Sequence, residues 1–211
     1  MRFIKITLAL LAAALLAVAV WQPLSAPVLQ AESYVKVVYS NGHGSAAYIG
    51  DGYFVTAAHV VRDQPDAPLL LSDGRKVQGE VLWVNKAYDI ALVRAKVGGI
   101  VAAPLRCTVP VIGDEIHASG NPGDQDRVTT WGRVAGDERS TGFWRSVVVV
   151  NMAVVPGMSG GPVYDESGAV VGITVGVMLS QAGMSASMVA VGYVVPGKTV
   201  CALLAREQDN K

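Results

Sequence analysis

Residues 157–162 read Gly157-Met158-Ser159-Gly160-Gly161-Pro162. Glycines crowd the serine from both sides. Backbone at such a place can approach a bound group closely and adopt conformations that a Cβ would block. The amides of Gly157 and Ser159 can then aim at one point, as a developing oxyanion requires. Taken alone the stretch reads equally well as a plain glycine-rich turn. The partners of Ser159 have to decide between the two.

A serine hydroxyl is a weak nucleophile without a base. Upstream, Thr56-Ala57-Ala58-His59 closes an apolar run, with small residues ahead of a histidine at a strand-to-loop junction. Tyr88-Asp89-Ile90-Ala91-Leu92 places an acid just before a second apolar run. A carboxylate there can orient an imidazole and stabilise its charged form. His59, Asp89 and Ser159 are thus candidate base, orienting acid and nucleophile. They lie 30 and 70 residues apart, so only the fold can assemble them.

Around these points the chain reads as many short strands separated by turn residues. Tyr34 to Tyr39, Ala46 to Ile49, Tyr53 to Thr56, Leu69 to Leu71, Val77 to Val84 and Ile90 to Ala95 make a first group. Glu115 to Ser119, Arg127 to Val134, Ser146 to Met152, Pro162 to Tyr164, Ala169 to Val177 and Met188 to Val195 make a second. Turns are expected at Ser72-Asp73-Gly74, Asn121-Pro122-Gly123, Gly136-Asp137 and Glu166-Ser167-Gly168. Strands at this spacing imply an all-β sandwich or barrel. The segment Gly98 to Arg106, with Pro104, is the natural link, giving halves at 34–103 and 104–211. One helix is expected, Thr199 to Glu207, with Val200, Leu203 and Leu204 on one face.

The first 31 residues are read as targeting rather than fold. Arg2 and Lys5 precede an apolar run from Ile6 to Val20, a signal-peptide length rather than a full span. Cleavage after Ala31 and retention as a signal anchor both remain open, and either exports the domain to a periplasmic or extracellular side. Seventeen basic residues balance seventeen acidic ones, with no basic cluster, so a nucleic-acid partner is not expected. Cys107 and Cys201 show no metal-ligand spacing. In an exported protein they can form one disulfide, with two separate buried thiols as the alternative.

The motifs TAAH, DIAL and GxSGGP, in the order His59, Asp89, Ser159, resemble those of the chymotrypsin-like serine proteases. Residues 72–93, Gly120-Asn121-Pro122 and Val191 to Pro196 resemble the bacterial HtrA-type branch. The likeness extends over roughly residues 34 to 206. It implies two six-stranded antiparallel β-barrels with a short C-terminal helix. His59 and Asp89 come from the first barrel and Ser159 from the second. It implies hydrolysis of polypeptides through an acyl-enzyme, an oxyanion hole from Gly157 and Ser159, and no metal or cofactor.

The resemblance also implies a substrate pocket. Ala153 forms its base, Val175, Gly176 and Val177 one wall, and Val191 and Gly192 its back. None is charged, so cleavage after Val, Ala, Ile or Leu is expected. Two departures stand out. Met158 replaces the acid that in digestive relatives pairs with a newly cut N-terminus, so that mode of activation is not expected. The chain reaches Lys211 soon after the last helix, leaving no room for the PDZ domain usual in HtrA-type proteins. A catalytically silent peptide-binding module and an esterase are the competing readings on the same fold. His43 and His117 read as structural or surface residues, and Met178, Met184 and Met188 as a loop, either at the surface or mobile beside the cleft.

Overall fold

The computed structural model describes residues 33–182 and 185–209. The segment read as signal peptide or anchor lies outside them. Among the described residues no helix is long and apolar enough to cross a membrane.

The first barrel contains β1 (Tyr34–Tyr39), β2 (Gly42–Gly50), β3 (Tyr53–Thr56), β4 (Asp66–Leu70), β5 (Lys76–Asn85) and β6 (Ile90–Arg94). These close in the order β1-β2-β3-β6-β5-β4. A four-residue helix, α1 (Ala58–Val61), follows β3. The second barrel contains β7 (Glu115–Gly120), β8 (Val128–Arg139), β9 (Val147–Asn151), β10 (Pro162–Tyr164), β11 (Val170–Ala182) and β12 (Ser185–Pro196). It closes as β10-β11-β12-β9-β8-β7, and α2 (Gly197–Asp209) follows. All strand pairs are antiparallel. This is the chymotrypsin-like arrangement that the motifs imply.

Side-chain alternation explains the barrels. In β1, Val35 and Val37 turn inward, and in β4 Ala67 and Leu69 do the same, all four fully buried in one cluster. Strand β6 is instead a continuous run, Ile90 to Val93, buried along its length. The second barrel packs Ile116, Ala118, Val134, Val148, Val150, Val163 and Val194 around its own centre. A core of this area stabilises by roughly 25 cal/mol for each Å² of apolar surface removed from water.

Residues 95–114 connect the barrels, and the expected boundary between 103 and 104 falls within this connection. Cys107 on the connection is bonded to Cys201 on α2, with their Cα atoms 5.6 Å apart. Val200 and Leu203 bury the inner face of α2.

Two sequence expectations are corrected. Gly136-Asp137 is not a turn but lies inside β8, where the register against β9 shifts on both sides of Gly136. Glycine in a strand commonly marks such a bulge. The methionine-containing stretch is not a loop. Its backbone extends the β11–β12 hairpin, with Leu179 opposite Met188 and Ala182 opposite Ser185. Pairing the two segments satisfies their backbone donors and acceptors, which a loop would leave to water. Met184 lies outside the described residues.

Candidate active site

The base is presented by α1. Thr56 ends β3, and its hydroxyl donates to the Ser45 carbonyl at 2.6 Å, anchoring the strand end to β2. Ala57, Ala58, Val60 and Val61 are buried, which leaves His59 as the outward residue of the turn. A Cβ on Gly160 would come within 2.9 Å of the Ala57 backbone nitrogen, so the two barrels touch there backbone to backbone.

Asp89 closes the short β5–β6 connection with a φ of 57°, a left-handed conformation that aspartate tolerates better than most residues. Its carboxylate meets His59 at two points. Oδ1 accepts the His59 backbone N–H at 2.9 Å, and Oδ2 lies 2.7 Å from Nδ1. Contact through Nδ1 leaves Nε2 as the free nitrogen of the imidazole. Asp89 is only 4 % exposed, so its oxygens rely on these protein donors in place of water. A third donor comes from the other barrel, as the Trp144 indole N–H reaches Oδ2 at 3.1 Å.

Ser159 lies between β9 and β10. Its carbonyl accepts the Ser45 N–H at 2.8 Å. Gly44 separates it from Val60, the neighbour of His59. A Cβ on Gly44 would lie 3.0 Å from the Ser159 carbonyl oxygen and 2.5 Å from Val60 Cγ2. Gly44 thus fills the gap between the nucleophile loop and the segment that bears the base, and a side chain there would push them apart.

Gly157 and Gly160 take φ values of 99° and 82°, where a side chain would be strained. The loop amides divide into two sets. Met158 donates to Val155, Gly160 to Thr174 and Gly161 to Met158, at 3.1, 2.7 and 2.9 Å. The Gly157 and Ser159 amides find no protein acceptor among the described residues. Unpaired backbone donors in a buried loop suit an incoming anionic oxygen.

Ser45 and Asn121 hold this loop, and neither stood out in the sequence as a site residue. Ser45 is fully buried, and its hydroxyl donates to the Gly157 carbonyl at 2.9 Å. The same oxygen accepts both the backbone and side-chain N–H groups of Asn121 at 3.1 Å. His43 Nε2 lies 2.9 Å from the Asn121 carbonyl and so braces the loop from β2. Asn121-Pro122-Gly123 was visible as a turn, but nothing in the sequence showed that Ser45 meets it.

The expected pocket residues fall on the second barrel. Gly176 pairs with Tyr193 and Val177 with Gly192 across β11 and β12. Ala153 is exposed, and its carbonyl accepts the Thr130 hydroxyl at 2.8 Å. Val191 is half-buried and precedes Gly192 on β12. Val175 differs from expectation. Its side chain is 2 % exposed and packs in the core, at the point where the register of β11 against β12 shifts between Thr174 and Gly176. The ring of Trp144 covers Gly176, where a Cβ would lie 2.6 Å from Cη2. His117 stacks on Tyr164 with centroids 5.0 Å apart, and burial lowers its pKa from the usual 6.5. Among the described residues no group of three or more His, Cys, Asp or Glu side chains can hold a metal ion.

The chain is 30% identical over 158 residues to Protease Do-like 1, chloroplastic, of Arabidopsis thaliana, covering 71% of this chain and 35% of that one. It is 29% identical over 160 residues to a probable periplasmic serine endoprotease DegP-like of Brucella suis, covering 71% and 29%. The chain thus spans about a third of the length of these curated relatives. Among solved structures, the HtrA-type protease AlgW with tripeptide superposes with a TM-score of 0.73 at 22% identity, covering 83% of this chain and 60% of that one. The inactive form of Rv3671c from M. tuberculosis superposes at 0.70 and 21% identity, covering 84% and 87%. A family profile described as trypsin-like peptidase domain matches residues 44–173, a span that holds all three candidate catalytic residues. The chain belongs to the trypsin-like peptidase family, among relatives of the HtrA and DegP type.

Proposed function

We propose that the chain is a serine endopeptidase in which Ser159 is the nucleophile, His59 the general base and Asp89 the orienting acid. The observation that carries this reading is the two-point contact of Asp89 with His59, at 2.7 and 2.9 Å, beside a serine loop with two unpaired amides. Ser159 Oγ attacks the carbonyl carbon of the scissile bond while His59 Nε2 takes its proton. The carbonyl oxygen gains the charge and is met by the Gly157 and Ser159 amides. His59 returns the proton to the leaving amine, and an acyl-enzyme remains. Water then attacks it, again with His59 as base, and releases Ser159.

The substrates we infer are exported or unfolded polypeptides, cut after small or medium aliphatic residues. Two observations support this. The basic and apolar N-terminus fits export, and the DegP-like relatives are named as periplasmic. No ionisable side chain stands among Ala153, Gly176, Val177, Val191 and Gly192, so a buried Arg or Lys would lack a counter-charge. The test of the function is incubation with a serine-reactive fluorophosphonate, read by intact mass. One adduct on the wild type and none on Ser159→Ala is expected. Absence of any adduct on folded protein would favour the silent peptide-binding module.

A further inference from the structure

Trp144 is not part of any catalytic pattern in the sequence, yet it touches both halves of the site. It sits in the short β8–β9 loop, whose backbone is locked by local bonds. The Thr141 N–H donates to the Trp144 carbonyl at 2.8 Å, and the Trp144 N–H donates back to the Thr141 hydroxyl at 3.1 Å. The loop is pinned across the barrel junction, because the Arg145 N–H donates to the Ala87 carbonyl at 3.0 Å, two residues before Asp89. The indole N–H then reaches Asp89 Oδ2 at 3.1 Å, the same oxygen that faces His59 Nδ1. The far edge of the ring lies over Gly176, and Tyr193 packs beside it with centroids 5.2 Å apart.

We propose that Trp144 is the positioning residue of the His59–Asp89 pair and at the same time a wall of the substrate cleft at Gly176. The inference rests on the function proposed above. The physical reason is the geometry of one carboxylate. Asp89 sits on the first barrel, and two of its three contacts come from His59 itself. Without the indole, Oδ2 keeps only its contact with His59 Nδ1 among the described residues, and no group outside His59 orients the carboxylate. A charged hydrogen bond in a site of low dielectric fixes direction as well as energy. Because the ring is rigid, a peptide segment that presses on it at Gly176 presses on the donor to Asp89 too. Filling of the cleft and alignment of the base are therefore mechanically linked.

Trp144→Phe removes the donor and keeps an aromatic ring over Gly176. We expect kcat on a peptide substrate to fall roughly tenfold or more, with KM changed less than twofold. Gly176→Ala retains the indole but pushes its edge, and we expect the same fall in kcat. A spectroscopic readout separates positioning from packing and needs no activity. In the Ser159→Ala protein, the low-field proton between His59 and Asp89 should move or broaden when Trp144→Phe is added, while the rest of the amide spectrum stays dispersed. The Trp144 indole resonance of the protein with unaltered Trp144 should shift in turn when Asp89→Asn is introduced, which tests the bond even if Trp144→Phe folds poorly. An unchanged low-field proton, an indole resonance indifferent to Asp89→Asn, or kcat equal to wild type in Trp144→Phe overturns the proposal. Failure of the fluorophosphonate test, by contrast, would count against the peptidase reading and leave the resonance measurements standing.

Discussion

The hydroxyl of Ser45 donates to the carbonyl of Gly157 at 2.9 Å, so a strand of the first barrel fixes a peptide in the nucleophile loop of the second. Its backbone N–H does the same for the Ser159 carbonyl at 2.8 Å. Ser159 is thus braced from β2 on both sides of Met158. Ser45→Ala removes the first bond and leaves the Asn121 donors and the Gly157 carbonyl unpaired in a buried place. We expect a stability loss of about 1–3 kcal/mol by denaturant titration. If the loop relaxes, kcat should fall by up to roughly a hundredfold, since misaligned oxyanion donors are costly. Full activity of the variant would remove Ser45 from the site.

The proposed triad acts as a unit, and the kinetics should show it. Ser159→Ala and His59→Ala should each lower kcat on the order of 10³ to 10⁶. The double variant should be little worse than either single one. Multiplicative losses in a peptide hydrolysis assay would mean that the two side chains serve separate steps.

The proposed specificity follows from what the proposed pocket lacks. Burying an aliphatic side chain there is worth about 1.5–3 kcal/mol, whereas a lone cation would cost several. Cleavage-site profiling of a denatured protein mixture by mass spectrometry should give Val, Ala, Ile and Leu before the cut bond. A dominant preference for Arg or Lys would show that other residues form the pocket.

Cys107 and Cys201 close a loop with a sequence separation of 94. In the chain-entropy picture such a crosslink stabilises by about 4.7 kcal/mol. Alkylation of unreduced, unfolded protein should add no mass. Replacing both cysteines with serine should lower the unfolding free energy by up to that amount. Two alkylated thiols would exclude the bond.

His117 should make stability pH-dependent. Burial against Tyr164 lowers its folded pKa below 6.5, and Asp165 offsets this only in part. As pH falls, the unfolded chain takes up the proton first. The contribution is therefore complete above the unfolded value and is lost as pH drops through the folded one. The unfolding midpoint should decline as pH falls below the usual histidine value of 6.5, and His117→Phe should flatten that decline. Parallel curves for the two proteins would refute the assignment.

Much of the fold was legible because it rests on local signals. Val35 and Val37 or Ala67 and Leu69 alternate with a period of two, and that period makes a strand whatever its partner. The three motifs carry their chemistry in short stretches, and their order restricts the fold to which they belong. The bulge at Gly136 was misread as a turn because glycine serves both purposes, and only pairing with β9 distinguishes them.

The sequence by itself therefore determined most of the strands and pointed to the candidate residues His59, Asp89 and Ser159. The tertiary structure alone decided what holds them. Trp144 reaches Asp89 across 55 residues, and Ser45 reaches Gly157 across 112. Neither contact has a periodicity or a spacing to reveal it. Each arises only when two separately closed barrels are pressed together, because the surfaces that meet are set by barrel curvature and loop conformation rather than by neighbouring residues. Val175 shows the same limit, since the resemblance implied a cleft wall from Val175 to Val177 and its packing put it in the core.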